Sequence, residues 1–328
     1  MKNNKSLLGL TLTLLVALTS CGQTGVKINP DKEHYVVGIS QFAVHNALDE
    51  ATRGFKEKLT MELESKGRTV EFKEHNAQGE VANTSIIASN LVSSDVDLIM
   101  ANATPSLQSA CTATSYIPIL GTSVTEYGTA LNIKDFNGVV GGNVSGTSDL
   151  APLDGQVDMM LELVPSAQKI GLLYCSSEPN SEYQVKVVEE LLKEKGKDVK
   201  RYKFTDSNDI YNIALNASLN SDLIYVPTDN VAASNALLID SACRNETKKT
   251  PVICGEENSA KGCGIASLSI SYYDLGIKTG EMAADVLLGE KDISTLEIGY
   301  APNITKKYNS EIAKDLNINV PEDYVAIN

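Results

Sequence analysis

The chain has 328 residues, 42% of them hydrophobic, enough for two domains with proper cores. Its net charge is −14 and its pI is near 4.7. Nucleic acid is excluded as a partner, because phosphate contacts need clustered Lys and Arg.

The N-terminus carries a specific local signal. Lys2 and Lys5 form a basic region, and Leu7–Leu18 is apolar but too short to span a bilayer stably. Leu18-Thr19-Ser20-Cys21 then resembles a bacterial lipobox, in which Cys21 is acylated and becomes the mature N-terminus. An ordinary secretory signal with a chance Cys is the alternative. The expected division is a signal peptide over 1–20 and a lipidated, flexible tether over 21–33. An exported, lipid-held body outside the membrane follows.

Downstream, apolar runs and helical patterns alternate. Val36–Ser40 reads as the first strand. Asn46 reads as the N-cap of a helix whose face is Leu48, Ala51, Phe55 and Leu59. A strand at Thr69–Lys73 precedes a helix over Val81–Leu91, with Ile86, Ile87 and Leu91 predicted buried. Asp97–Ser109 (DLIMANATPSLQS) recurs, altered, as Asp222–Ser234 (DLIYVPTDNVAAS). Superposed, Thr104 falls on Asp229 and Pro105 on Asn230. Ile117–Ser123 likewise resembles Thr250–Glu257. Each copy is a buried parallel strand, a turn and a helix start.

A glycine-rich segment, Gly138–Gly146, suits a hinge. The second half repeats the alternation from Lys169 to Ile270, including one helix over Val231–Asn245. Tyr272–Leu288 is a strong helix, with Gly289 placed as its C′ residue. The plan is α/β: two Rossmann-like parallel-sheet lobes joined by a three-crossover hinge. The expected bounds are 34–145 plus 269–295 for the first lobe, and 146–268 plus 296–328 for the second.

In open α/β sheets ligands bind outside the carboxyl ends of strands, so both sets of strand-ends would face one cleft. Thr104-Pro105-Ser106 reads as a capped helix start whose free N–H groups, with Ser106, could hold a carboxylate. Thr122 and Ser123 add hydroxyls. Asp229 supplies the opposite polarity and would take an ammonium, with Asp149 and Glu256 as rivals. Plain helix capping or solvated loop charge is the alternative for each. Phe42 and Leu48 could line an apolar pocket, though core packing serves Phe42 equally. His45, Gln41 or Asn180 could meet a ligand polar group. Ser176 and Asn230 occupy further strand-end positions. Five Cys follow the lipobox, at 111, 175, 243, 254 and 263. Cys254 and Cys263 could pair, but buried thiols are the preferred reading. His34, His45 and His75 have no metal-ligand spacing and there is no Cys-x-x-Cys, so no metal or cofactor is expected. The loops hold no Ser-His-Asp-like set, so an enzyme is not expected either.

These residues carry a resemblance. His45-Asn46-Ala47-Leu48-Asp49, Gly54-Phe55-Lys56, Asn76-Ala77-Gln78-Gly79 and Ala103-Thr104-Pro105 come first. Gly142–Asp149, Tyr225–Asn230, Gly255-Glu256-Glu257 and Tyr272–Gly276 follow in order. Together the chain resembles the tryptophan/tyrosine ABC transporter substrate-binding lipoproteins of low-GC Gram-positive and other bacteria. It departs where Val44 and Asn46 flank the His in place of Glu-His-Pro. The resemblance implies a type I periplasmic-binding-protein fold, an aromatic amino-acid ligand, and an ABC permease with its ATPase as partners. Tyrosine is favoured, then tryptophan or phenylalanine. The chain would act as a monomer on the outer face of the cell membrane. The other readings are a surface adhesin or sensor, or the same fold holding a branched-chain amino acid or a nucleoside-like ligand.

Overall fold

The computed structural model describes residues 25–327, so the signal segment and Cys21 lie outside the described residues. The chain opens with β1 (His34–Gln41), α1 (Asn46–Ser65), β2 (Thr69–Asn76), α2 (Val81–Ser93), β3 (Leu98–Asn102), α3 (Thr104–Ala113), β4 (Ile119–Val124), α4 (Tyr127–Leu131) and β5 (Val144–Ser148). It continues with α5 (Leu153–Leu163), β6 (Lys169–Cys175), α6 (Pro179–Glu194), β7 (Asp198–Phe204), α7 (Ile210–Asn220), β8 (Leu223–Val226), α8 (Asn230–Ser234), α9 (Ala236–Cys243), β9 (Val252–Cys254), α10 (Glu257–Cys263) and β10 (Ala266–Ile270). It closes with α11 (Tyr272–Leu287), β11 (Gly299–Tyr300), β12 (Ile304–Tyr308), α12 (Ser310–Asp315) and β13 (Val325–Ala326).

Two sheets result. The first has the order β11-β5-β4-β3-β1-β2, all parallel. The second has the order β13-β12-β10-β9-β8-β6-β7, parallel except where β12 runs against β10. Helices cover both faces of each sheet, which is why central strands such as β3 and β8 are buried at every position. On the first sheet, one core holds Leu48, Leu91, Ile99 and Leu107, and the other Val37, Phe55, Met100 and Val286. On the second, the cores centre on Leu172, Val188 and Tyr225, and on Leu173, Ile224 and Ile239.

The internal repeat is structural. The Asp97 carboxylate accepts from the Val36 amide, and the Asp97 amide donates to the Val36 carbonyl. The Asp222 carboxylate accepts from the Gln168 and Lys169 amides, and its own amide donates to Lys169. Each Asp thus ties the start of a third strand to the start of the lobe's first strand. Pro118 and Pro251 accept from Ile99 and Ile224, both at 2.9 Å.

The chain crosses between lobes three times, at 149–152, at Ser271 and at 301–303. The crossings come slightly later than the expected bounds at 145 and 296. β5 runs to Ser148 in the first sheet, and β11 pairs with it there. Gly146 is no hinge: a Cβ on it would lie 2.1 Å from the Gly121 carbonyl, so it is where two strands approach closely. α11 returns to the first lobe and lies along α1. Cβ atoms on Gly54 and Gly276 would meet the Tyr273 and Ala51 carbonyls at 2.3 and 2.0 Å.

Other expectations need correction. Ile86 is 59% exposed, because the buried face of α2 is Thr84, Ile87, Ala88 and Leu91. The helix expected over Val231–Asn245 breaks at Asn235. Asn46 does not cap α1; His45 holds that position in extended backbone. Residues 26–33, expected in the flexible tether, dock on the first lobe. Val26 and Ile28 pack against its core, and the Lys27 amide donates to Tyr116. Gly289 does take the left-handed conformation after α11, at φ 69°.

Candidate functional site

The carboxyl ends of both sheets face one cleft, and the lobes meet there. His45, Leu48, Ser123, Thr125, Asp149, Asn180, Thr228, Asp229, Asn230, Ala233, Glu256 and Tyr272 line the cavity. The cavity is narrow, about 270 Å³ in volume. The lobes are closed on each other. A bond crosses between them, His45 Nε2 to Asn230 Oδ1 at 3.2 Å.

Four polar atoms of the lining are buried without a partner: His45 Nδ1, Ser123 Oγ, Asp149 Oδ1 and Asn180 Oδ1. Buried polar groups are rarely left so, since each costs about 1–3 kcal/mol. Backbone strain adds to the picture at the neighbouring strand-ends. Ala103 and Ser123 hold φ of 84° and 53° without being glycine.

Carboxylates surround the cavity, and none of its lining residues is Lys or Arg. Asp149 follows β5 and receives the Tyr272 hydroxyl on Oδ2 at 2.9 Å. Burial pushes its carboxyl up to about 6, against the Tyr272 bond and the neighbouring Thr125 hydroxyl, and helped by the Glu256 charge. Asp229 is spent within the second lobe. Oδ1 caps α8 through the Ala232 amide, and Oδ2 accepts from the Cys175 amide at 2.7 Å. Glu178, behind it, accepts from the Asn230 and Val231 amides and the Asn180 and Asn230 side chains. Burial raises both Asp229 and Glu178 above the usual carboxylate range. Glu256 caps α10 through the Asn258 and Ser259 amides and the Ser259 hydroxyl. Asp149 is therefore the cleft carboxylate that keeps an unpartnered oxygen.

Of the residues singled out in the sequence, His45, Leu48, Ser123, Asp149, Asn180, Asp229, Asn230 and Glu256 come together. The others lie elsewhere. Phe42 is core, packed with Ala103 and Leu107. Thr104 and Ser106 are buried outside the cavity lining. Thr104 does not cap α3; Ala103 holds that position. Thr122 bonds Thr147 and Thr279 in the first lobe. Gln41 is tied to Asp49, Thr52 and Ala43. Ser176 is exposed and donates to the Phe204 carbonyl. Sequence reasoning missed Thr125, Thr228, Ala233 and Tyr272 as lining, and Glu178 behind it. Tyr272 was legible as the start of a helix and within a resemblance motif, but not as a residue of the site. Among the described residues the five thiols are free, with the Cys254 and Cys263 sulfurs 3.8 Å apart.

Two doubly wound lobes closing over a polar cavity through three crossovers define a clamshell binding protein of the type I periplasmic fold. The family model for ABC transporter substrate binding proteins matches residues 36–327, and the chain belongs to that family. A tyrosine-binding protein of Clostridioides difficile is 36% identical over 292 residues, 85% of this chain and 84% of the relative. A Streptococcus pneumoniae ABC domain in complex with L-Trp superposes with a TM-score of 0.84 at 29% identity, over 90% of this chain and all of that one. A ligand-free, open substrate-binding protein with adhesive properties from Clostridium difficile gives 0.66 at 33% identity, over 90% and 99%.

Proposed function

We propose that this chain is the substrate-binding lipoprotein of an ABC importer, binding an aromatic amino acid between its lobes and delivering it to the permease. The observation that carries this reading is the set of unpartnered polar atoms converging on one cavity from both lobes. Their chemistry suits a zwitterion. Ser123 can donate to the carboxylate from the first lobe. Asp149 Oδ1 is placed for the ammonium, in preference to Asp229. His45 Nε2 faces the Asn230 carbonyl oxygen and so donates to it, while His45 Nδ1 and Asn180 Oδ1 are left without partners. Asn180 Oδ1 is an acceptor that suits the phenol O–H of tyrosine or the indole N–H of tryptophan, and the tyrosine-binding relative, the more similar of the two in sequence, favours tyrosine. Tryptophan or phenylalanine comes next. The named ligands of the C. difficile and S. pneumoniae relatives support an aromatic side chain.

Closure belongs to the mechanism. The structure is more like the Trp complex than the open relative, although the open one is closer in sequence. A cavity this narrow admits a ligand only when the lobes part, and a ligand that prefers the closed state then holds them together. Transport rather than catalysis is the role, with the body outside the membrane and held by lipid on Cys21. Among the described residues no helix is long and apolar enough to cross a membrane. The adhesive relative leaves surface attachment as a second reading. Melting the purified protein with each of the twenty amino acids tests the proposal. A rise with aromatic ones is expected; no rise with any of them contradicts it.

A further inference from the structure

Asp149 and Tyr272 stand on different crossovers. Asp149 opens the first, between β5 and α5; Tyr272 begins α11 directly after the second. Their side chains meet in the cavity, the hydroxyl of Tyr272 donating to Oδ2. Around the Tyr272 ring a small apolar cluster gathers Ala47 and Ala51 of α1, Ile270, Leu275 and, from the third crossover, Ala301. The cluster and the Asp149–Tyr272 bond thus gather residues at or beside all three crossovers. The remaining oxygen of Asp149 has no partner.

We propose that Tyr272 is a positioning residue that fixes Asp149 by one oxygen so that the other can take the ligand's ammonium. This rests on the amino-acid reading above. A carboxylate held at one oxygen keeps its rotamer, and its free oxygen stays aimed at the cleft. Both groups stand at the first-lobe ends of their crossovers, directly after β5 and at the start of α11, so the pair is kept as a unit beside the cleft.

The groups facing Asp149 are the Thr125 hydroxyl after β4, Glu256 from the start of α10, Tyr127 from α4, Tyr272 from α11, and His45 and Asp229 across the cavity. None is a fixed cation, so the ammonium would be the positive charge in this set. Removing the Tyr272 hydroxyl removes a stabilising bond to the charged carboxylate and should raise its pKa further.

The test uses calorimetry on the purified full chain with two probes, L-tyrosine and its desamino analogue, from about pH 5 to about pH 8. Tyr272→Phe is expected to weaken L-tyrosine about tenfold and leave the desamino analogue nearly unchanged. Its acid-side loss of tyrosine affinity is expected to begin at higher pH than in the wild type. The double variant Asp149→Asn/Tyr272→Phe is expected to be no weaker than Asp149→Asn alone, a comparison that stands even if Tyr272→Phe by itself melts early. Equal losses for both probes, no loss, or additive losses in the double variant overturn the proposal. Should wild type bind the aromatic amino acid while Tyr272→Phe matches it at every pH, only this inference fails. Should wild type bind no amino acid, the functional reading fails and takes this one with it.

Discussion

Asp149 is the carboxylate proposed to take the ligand's ammonium, and its surroundings give two expectations. Asp149→Asn is expected to weaken an aromatic amino acid by about 3 kcal/mol, on the order of a hundredfold, because a buried ammonium loses its counter-charge. Calorimetry on variant and wild type checks it. The second concerns pH. Burial holds the Asp149 carboxyl at about 6, and raises Glu178 and Asp229 as well. In the unfolded chain these groups titrate near 4. Between those values the native protein binds more protons, so its stability falls as pH rises through the native pKa. The ligand-free melting temperature is thus expected to drop from about pH 5 towards about pH 8. Ligand affinity should run the other way, falling as Asp149 is neutralised below about pH 6. Melting curves across that range check both signs. At this scale the sequence was only partly legible. Residue types and strand-end positions picked out His45, Ser123 and Asn180. They could not show that Asp229 would be consumed by the Cys175 and Ala232 amides, since capping and ligand binding ask for the same residue in the same place.

Helices and strand-ends set where those groups stand. α8 is only five residues long, and its first turn is gripped by Asp229 and Glu178. Asp229→Ala is expected to cost about 1–3 kcal/mol of stability, from a lost cap and an orphaned Cys175 amide. Urea unfolding measures it, and the loss should appear without ligand. The α1–α11 contact is still more exacting. Gly276→Ala would place a Cβ 2.0 Å from the Ala51 carbonyl. It is expected to cost about 3 kcal/mol, read by urea unfolding, because neither backbone can yield without moving a whole helix. Element order was legible because buried parallel strands and amphipathic helices have different periods. The Asp-Leu-Ile repeat located equivalent strands correctly, down to the Asp that pins each one. Helix starts were less legible. Thr104 and Asn46 look like caps, yet Ala103 and His45 hold those positions. Each helix starts one residue earlier than the cap-forming residue type suggests, and local propensity does not fix that boundary.

The molecule as a whole is two lobes whose relative position is set by three short crossovers and by contacts across the cleft. His45 to Asn230 is one such contact, and Asp149 to Tyr272 ties two crossovers. The lobes were legible in the sequence, but the crossings were misplaced by a few residues. Glycine composition suggested a hinge at Gly138–Gly146. Close strand packing at Gly121 explains Gly146 equally well, and composition cannot separate the two. A clamshell of this kind should exist mainly open without ligand and closed with it. The central claim is that an aromatic zwitterion closes it. The most direct measurement is calorimetric titration of the purified protein with L-tyrosine, L-tryptophan and L-phenylalanine. The expected result is saturable one-to-one binding, tightest for L-tyrosine, with a negative heat-capacity change from the apolar surface buried on closure. The absence of binding heat with all three at every temperature would contradict the account.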